Sequence, residues 1–454
     1  MKAQDNSTTS NAADMQTLRF EQAPPLDIPA AFFLTAPLAV VAAGMLLLAT
    51  GTSALQSHWL PVTLGLTHLA SLGFLAMVML GALYQMAPVV ASAPVPRVRI
   101  AHLVHGLLSL AVLRLVLGLT GLWPGMVYPS FSLAGVALGI FVLTVGFAML
   151  NSPTRNMTVA SMRLALLSLL FAVVLGILMA RGFAGGVIAP ARGLWIQVHL
   201  TLAMLGWVGG MISGVSWRVV PMFYLAPPVP LIWQRIVWTV IAFAVTGSLL
   251  VLWLAQIGID TRPWALREVA SITALPAVAG LCLLHPYLIL RSLKHRRRRR
   301  LDGSALFWFA GLGMAPLAAL TALGAIGLRD PHWVILSGWL AIWGWAGLVI
   351  HGMLSRIVPF LVWFHRYAPL AGTRPIASMR TLLPGRVVKI GLVLHMGSLL
   401  AGTLAIATQY HWLASLTGIA LLATGLHMLG WMGYVFSRHP DGTRRRLPQS
   451  PFHA

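Results

Sequence analysis

Apolar residues run in blocks of twenty or more along this chain, and the short stretches between them hold nearly all of the charge. A helix needs about 20 apolar residues to cross a bilayer. Twelve such blocks can be counted: Ile28–Thr50, Pro61–Val90, Ile100–Gly121, Val127–Leu150, Leu164–Ala184, Leu194–Leu225, Ile232–Ile257, Val269–Leu290, Ala305–Leu328, Trp333–Trp363, Val387–Ala407 and Trp412–Phe436. The pattern predicts an all-α membrane protein of twelve transmembrane helices.

Three of the blocks carry the same motif, G-[FW]-x6-G-x6-P, without insertion or deletion. It reads Gly73-Phe74, Gly81, Pro88 in the second span, Gly206-Trp207, Gly214, Pro221 in the sixth, and Gly344-Trp345, Gly352, Pro359 in the tenth. The copies are 133 and 138 residues apart, which is four spans each time. A second register follows: Arg99, Arg235 and Lys389 open the next spans, with His105, Ile241 and His395 six positions on. Repetition at this scale marks architecture. It predicts three four-helix units about a pseudo-threefold axis normal to the membrane, over residues 28–160, 161–302 and 303–437. Two glycines eight apart lie near one helix face and let a neighbouring helix approach closely. A proline at the end of such a face can kink or stop the helix. Gln85, Arg218 and Arg356 stand three residues before the prolines. The two arginines are expected to snorkel to headgroups.

Composition sharpens this. Of 454 residues, 58% are hydrophobic and only 9% charged, with a mean hydropathy of +0.84. A soluble domain carries about 25% charged residues. The net charge of +22 does not point to nucleic acid, because most of the cations fall in the loops after the second, fourth, eighth and tenth spans and in the C-terminal tail. Arg97 and Arg99, Arg155 and Arg163, the run Lys294 to Arg300, and Arg366 to Lys389 lie there. The loops after the first, third and eleventh spans hold no Lys or Arg. Both termini are therefore expected in the cytoplasm of a bacterial inner-membrane protein. Residues 1–27 read as a disordered polar tail and 438–454 as a basic tail. With Cys282 alone, neither an intramolecular disulfide nor a cysteine metal cluster can form.

All nine acids lie in tails, loops or at span edges: Asp5, Asp14, Glu21, Asp27, Asp260, Glu268, Asp302, Asp330 and Asp441. Ion-coupled transporters use carboxylates inside the bilayer, and carboxylate-rich metal sites need them too. Histidines remain. Eight fall inside spans: His68, His102, His105, His199, His285, His351, His395 and His427. A lone intramembrane histidine is most often a helix-to-helix hydrogen bond. Imidazole also binds haem iron or copper without adding negative charge. Counted from the prolines, His68 and His199 share an outer depth, and His105, His351 and His395 form an inner group. A bis-histidine haem is expected in one layer or the other.

Twelve spans in three units of four, with His68 in the second and His199 in the sixth, resemble the catalytic subunit of haem–copper oxidases. His68, Gly73-Phe74, Gly81-Ala82-Leu83, Pro88 and the earlier Phe32-Phe33-Leu34 are closer to the NnrS family, haem- and copper-containing membrane proteins of nitric oxide metabolism. The resemblance implies a b-type haem, copper, and respiratory or denitrification partners. It carries His68 over as a haem ligand and His199 as a copper ligand, with His68 also a metal candidate; His351, His105 and His395 are further haem candidates from their shared depth, not from the resemblance. It departs from the oxidases where the seventh span lacks a histidine pair and the tenth has only His351. The three-histidine copper site is then missing, so oxygen reduction is not expected; whether the chain is an enzyme stays open, and an enzymatic activity would be that of an oxidoreductase of respiratory or nitrogen-oxide metabolism. Two other readings stand beside it: a channel or transporter for a small neutral or anionic solute, lined by Arg114, Arg218 and Arg356, and an assembly partner of a respiratory complex.

Overall fold

The structure, a computed structural model, describes residues 23–184, 192–258, 263–297, 302–328, 330–371, 373 and 376–440. Most of the two expected tails, and the basic run from residue 298 on, lie outside the described residues. Among those described, all regular structure is helical. Twelve helices are long and apolar enough to cross a membrane. They are α1 (Asp27–Leu55), α2 (Pro61–Ala91), α3 (Ile100–Leu119), α4 (Pro124–Leu150), α5 (Met157–Gly182), α6 (Arg192–Tyr224), α7 (Leu231–Gln256), α8 (Ala265–Lys294), α9 (Gly303–Leu328), α10 (Pro331–Leu370), α11 (Gly385–Thr408) and α12 (His411–Ser437). The longest, α10, has 40 residues and outruns a hydrocarbon core of about 30 Å. Its overhang is tied down by Arg366, which donates to the carbonyls of Phe436 and Arg438 at 2.6 and 2.7 Å.

The motif prolines do not stop their helices. Pro88, Pro221 and Pro359 all lie inside helical runs. In α2 and α6 the helix ends four residues later, at Ser92 and Leu225, both in the left-handed region (φ 48° and 51°). In α10 it continues through Trp363.

The motif glycines do pack as small-residue contacts, always against the helix before. A Cβ on Gly73 or Gly81 would meet Ala39 or Phe32 of α1 at 2.6 and 2.7 Å. On Gly206 or Gly214 it would meet Ser168 or Ser161 of α5, and on Gly344 or Gly352, Met314 or Phe307 of α9. The partners are seven residues apart each time, two turns of a helix. The aromatic half of each motif lies in a π-helical segment: Leu69–Ala76, Thr201–Gly209 and Leu340–Gly347. A π segment shifts the face that follows it and often marks a functional position.

Two of the three motif helices, α2 and α6, are the most buried spans, at 67% over their apolar windows; α1 follows at 56% and α8 and α10 at 50%, against 22–39% for α3, α4, α5, α7 and α9. Phe74 of α2 meets Trp343 of α10, and Phe223 of α6 meets Phe360 of α10. Around them α4 packs on α5, α8 on α9 and α12 on α1, closing the bundle. Leu143, Leu150 and Val393 stay exposed on its outside, as lipid-facing residues do.

Arg356 does not snorkel. It donates from Nε to Ser304 Oγ at 2.8 Å and pairs with Asp302. Ser304 also meets the Tyr224 hydroxyl at 2.9 Å. An acid at the start of α9 thus satisfies a cation in α10, better than a solvated headgroup contact because the guanidinium is mostly buried. Arg218, its counterpart in α6, is exposed.

Candidate cofactor cavity

One cavity of about 630 Å³ opens at the end of the bundle where the loops after odd-numbered helices gather. Its walls come mainly from α1, α2, α5, α6 and α10, and are largely apolar. Three imidazoles line it, His68 and His199 in its walls and His58 in the loop at its rim. His68 and His199 each precede a π segment, so each sits where its helix changes pitch.

Both rings are fixed in the same way. His68 Nδ1 lies 2.8 Å from the Leu64 carbonyl, one turn back. His199 Nδ1 lies 2.9 Å from the Ala172 carbonyl of α5. A carbonyl only accepts, so Nδ1 carries the proton in each neutral ring. Nε2 is then a bare lone pair, and neither Nε2 has a protein partner among the described residues. The Phe131 ring stands edge-on to His68 at 5.3 Å. Gly176 makes room for His199, since a Cβ there would come within 3.3 Å of Cε1.

Trp339 holds in α10 the register that His68 holds in α2, five residues before the motif glycine, and it also lines the cavity. At the rim, Arg192 stacks over Trp59 at 4.5 Å. Burial, then the Arg267 and Arg192 guanidinium groups, hold the neighbouring His58 ring below its usual pKa. Its Nδ1 is buried without a hydrogen-bond partner. Arg192 and His58 were not legible as site residues, because nothing in a loop sequence says which loops meet.

The inner candidates are arranged differently. His351 and His395 are buried and meet Nδ1 to Nδ1 at 3.1 Å. His395 Nε2 bonds the Trp343 carbonyl at 3.0 Å, and the Trp343 ring stacks on it at 3.9 Å and 12°. Phe307 packs on His351 at 4.5 Å. The third ring here is His427 of α12, beside Gly391. His105 makes its contacts elsewhere: Thr35 donates to Ala31, so its hydroxyl accepts from His105 Nε2 at 2.8 Å. Depth along a helix sets the layer of a residue but not its direction around the axis, which is why His105 and His427 exchange places relative to expectation. His285 is buried apart from both groups, on Ser216 at 2.9 Å. His102 pairs with Asp27 at the surface.

Arg114, Arg218 and Arg356 do not line the cavity. Arg114 donates to the Met126 thioether at 3.0 Å instead. Among the described residues no group of three or more His, Cys, Asp or Glu is placed to hold a metal ion.

Fold and cavity define a multi-pass helical membrane protein with a histidine-lined chamber at one end. No protein-family model matches the chain, and no curated protein is similar to it in sequence.

Proposed function

We propose that the chain is an integral membrane haem protein whose cofactor lies in the cavity between His68 and His199. One observation carries this: two neutral imidazoles, each pinned through Nδ1, line one apolar chamber with Nε2 free. Free Nε2 on an oriented ring is the donor a haem iron takes. A volume of about 630 Å³ falls in the range of cofactor sites, roughly 300–1,000 Å³. Arg192 and His58 at the rim suit the carboxylate edge of a porphyrin. A bound b-type haem supplies reversible one-electron chemistry at its iron. The chain's part would be to hold the iron through the His68 and His199 imidazoles, exclude lipid and water through its apolar walls, and keep Trp343 between the cofactor and the inner histidines. His199, which the resemblance gives to copper, is assigned here to the haem because it faces the same space as His68. His351, His395 and His105 have no comparable open space beside them and are left out.

The wider reading follows the resemblance to the NnrS and haem–copper oxidase families: redox or nitric oxide metabolism in a bacterial inner membrane, beside respiratory or denitrification proteins, without oxygen reduction. Three units about a pseudo-threefold axis are supported by the threefold recurrence of the glycine contacts and π segments. Cytoplasmic termini are supported by the cation-rich loops after even-numbered helices. On that orientation the cavity faces outward.

The test is the absorption spectrum of protein purified from haem-replete cells, with iron analysis. A Soret band that falls in His68→Ala and in His199→Ala supports the proposal. A colourless, iron-free preparation overturns it, and solute uptake by proteoliposomes of that preparation would favour the transporter reading.

A further inference from the structure

Arg114 takes no part in the haem reading and has no counter-charge. It lies in α3, five residues before that helix ends at Leu119, on the half of the bundle that carries the cavity. That places its backbone about 7 Å below the helix end. Asp27, Asp302 and Asp330 are each paired with another residue, and no described acid pairs with Arg114. Its one hydrogen bond among the described residues runs from Nη2 to the Met126 thioether at 3.0 Å, a weak and uncharged acceptor. Nε is buried without a partner. Nη1 has no partner either but is not buried, so the Nη edge of the guanidinium opens outward. Met126 also caps the α-helical part of α4, so the contact sets the cation against the positive end of a helix dipole. Snorkelling carries a cation to water. It does not account for a guanidinium turned onto a sulfur and a helix start with its Nε shut in.

We infer that the Nη edge of Arg114 binds the phosphodiester of an anionic phospholipid, in the leaflet at the cavity end of the bundle. A charged side chain within a bilayer is costly unless it is paired, and guanidinium meets phosphate with two parallel charge-assisted hydrogen bonds. The surroundings favour a lipid as the source of that phosphate. Leu103, Gly106, Leu110 and Leu113 are exposed at helical spacing and make an apolar track along α3, inward of Arg114. Leu110, one turn inward, shares the face of Arg114, so an acyl chain can follow the track from a phosphate held at its outer end. Leu122 and Trp123 are exposed in the turn beyond, where the interfacial zone begins. A free phosphate would have to leave water to reach below the helix end, whereas a lipid phosphate is kept near that depth by its own chains. A headgroup without a cation leaves its whole charge to Arg114, so phosphatidylglycerol fits better than phosphatidylcholine. The site is separate from the cavity, which Arg114 does not line.

The test is photolabelling of the full chain in liposomes with phosphatidylglycerol that carries a diazirine on its acyl chain, mapped by peptide mass spectrometry. The expected result is adducts on residues 103–126, at least about tenfold weaker in Arg114→Gln and with the phosphatidylcholine analogue. The wild-type comparison of the two lipids needs no variant, so the test stands even if Arg114→Gln does not fold. Labelling should persist in the His68→Ala/His199→Ala double variant, which keeps this outcome apart from that of haem binding. Equal labelling by the two lipids means an ordinary lipid contact only and overturns the inference. So does labelling unchanged in Arg114→Gln. Suppression by excess inorganic phosphate overturns the lipid as the source of the anion.

Discussion

The cavity histidines and the packed histidines are the same side chain put to opposite uses. His68 and His199 are each held by one main-chain carbonyl and present their other nitrogen to open space. His351 and His395 are held by each other, by the Trp343 carbonyl and by aromatic faces, with side chains filling the room around them. What separates the groups is the distribution of free volume, more than residue type or burial. Trp343 stands between them: its ring lines the cavity and stacks on His395, and its indole N–H donates to Ser398 at 2.9 Å.

Removing the cavity ligands tests the difference most strongly. His68→Ala and His199→Ala should each abolish most of the Soret absorbance while leaving thermal stability in detergent nearly unchanged; equal haem content in all three proteins would break the comparison. His395→Ala should do the reverse. It deletes a buried ring and strands the Trp343 carbonyl and His351, costing about 2–4 kcal/mol, read as a lower melting temperature with haem still bound. A smaller effect is expected from Gly176→Ala, whose new Cβ crowds His199 at 3.3 Å. Overpacking of about 1 kcal/mol would weaken haem retention several-fold in a transfer assay to apomyoglobin. The smallest concerns pH. Burial and the two arginines lower the folded-state pKa of His58 below 6.5. The unfolded chain then takes its proton first as pH falls. Stability is unaffected above pH 6.5 and declines below it, down to the folded pKa. His58→Gln should flatten that acid-side decline in a melting-temperature profile; an unchanged profile would remove His58 from the rim's electrostatics.

The twelve helices were legible because a bilayer demands long apolar runs, and nothing else in the chain produces them. The glycine contacts were legible as well, since a fixed spacing of small residues needs a facing helix. Three things were not. The π segments carry no signal beyond the motif itself. The Arg356–Asp302 pair joins residues 54 positions apart, and only the meeting of α9 and α10 reveals it. The inner cluster is only partly legible from depth: His351 and His395 meet, but His105 reaches Thr35 and His427 takes a place beside His351. Counting residues from a proline measures height in the membrane, whereas a site also needs the direction around each helix axis.

The central claim is that His68 and His199 together hold one haem. Low-temperature electron paramagnetic resonance of the ferric protein tests it most directly. The account predicts a low-spin bis-imidazole signal that turns high-spin in His68→Ala and in His199→Ala and is unchanged in His395→Ala. A high-spin wild type, or a low-spin signal that survives both cavity substitutions, would contradict it.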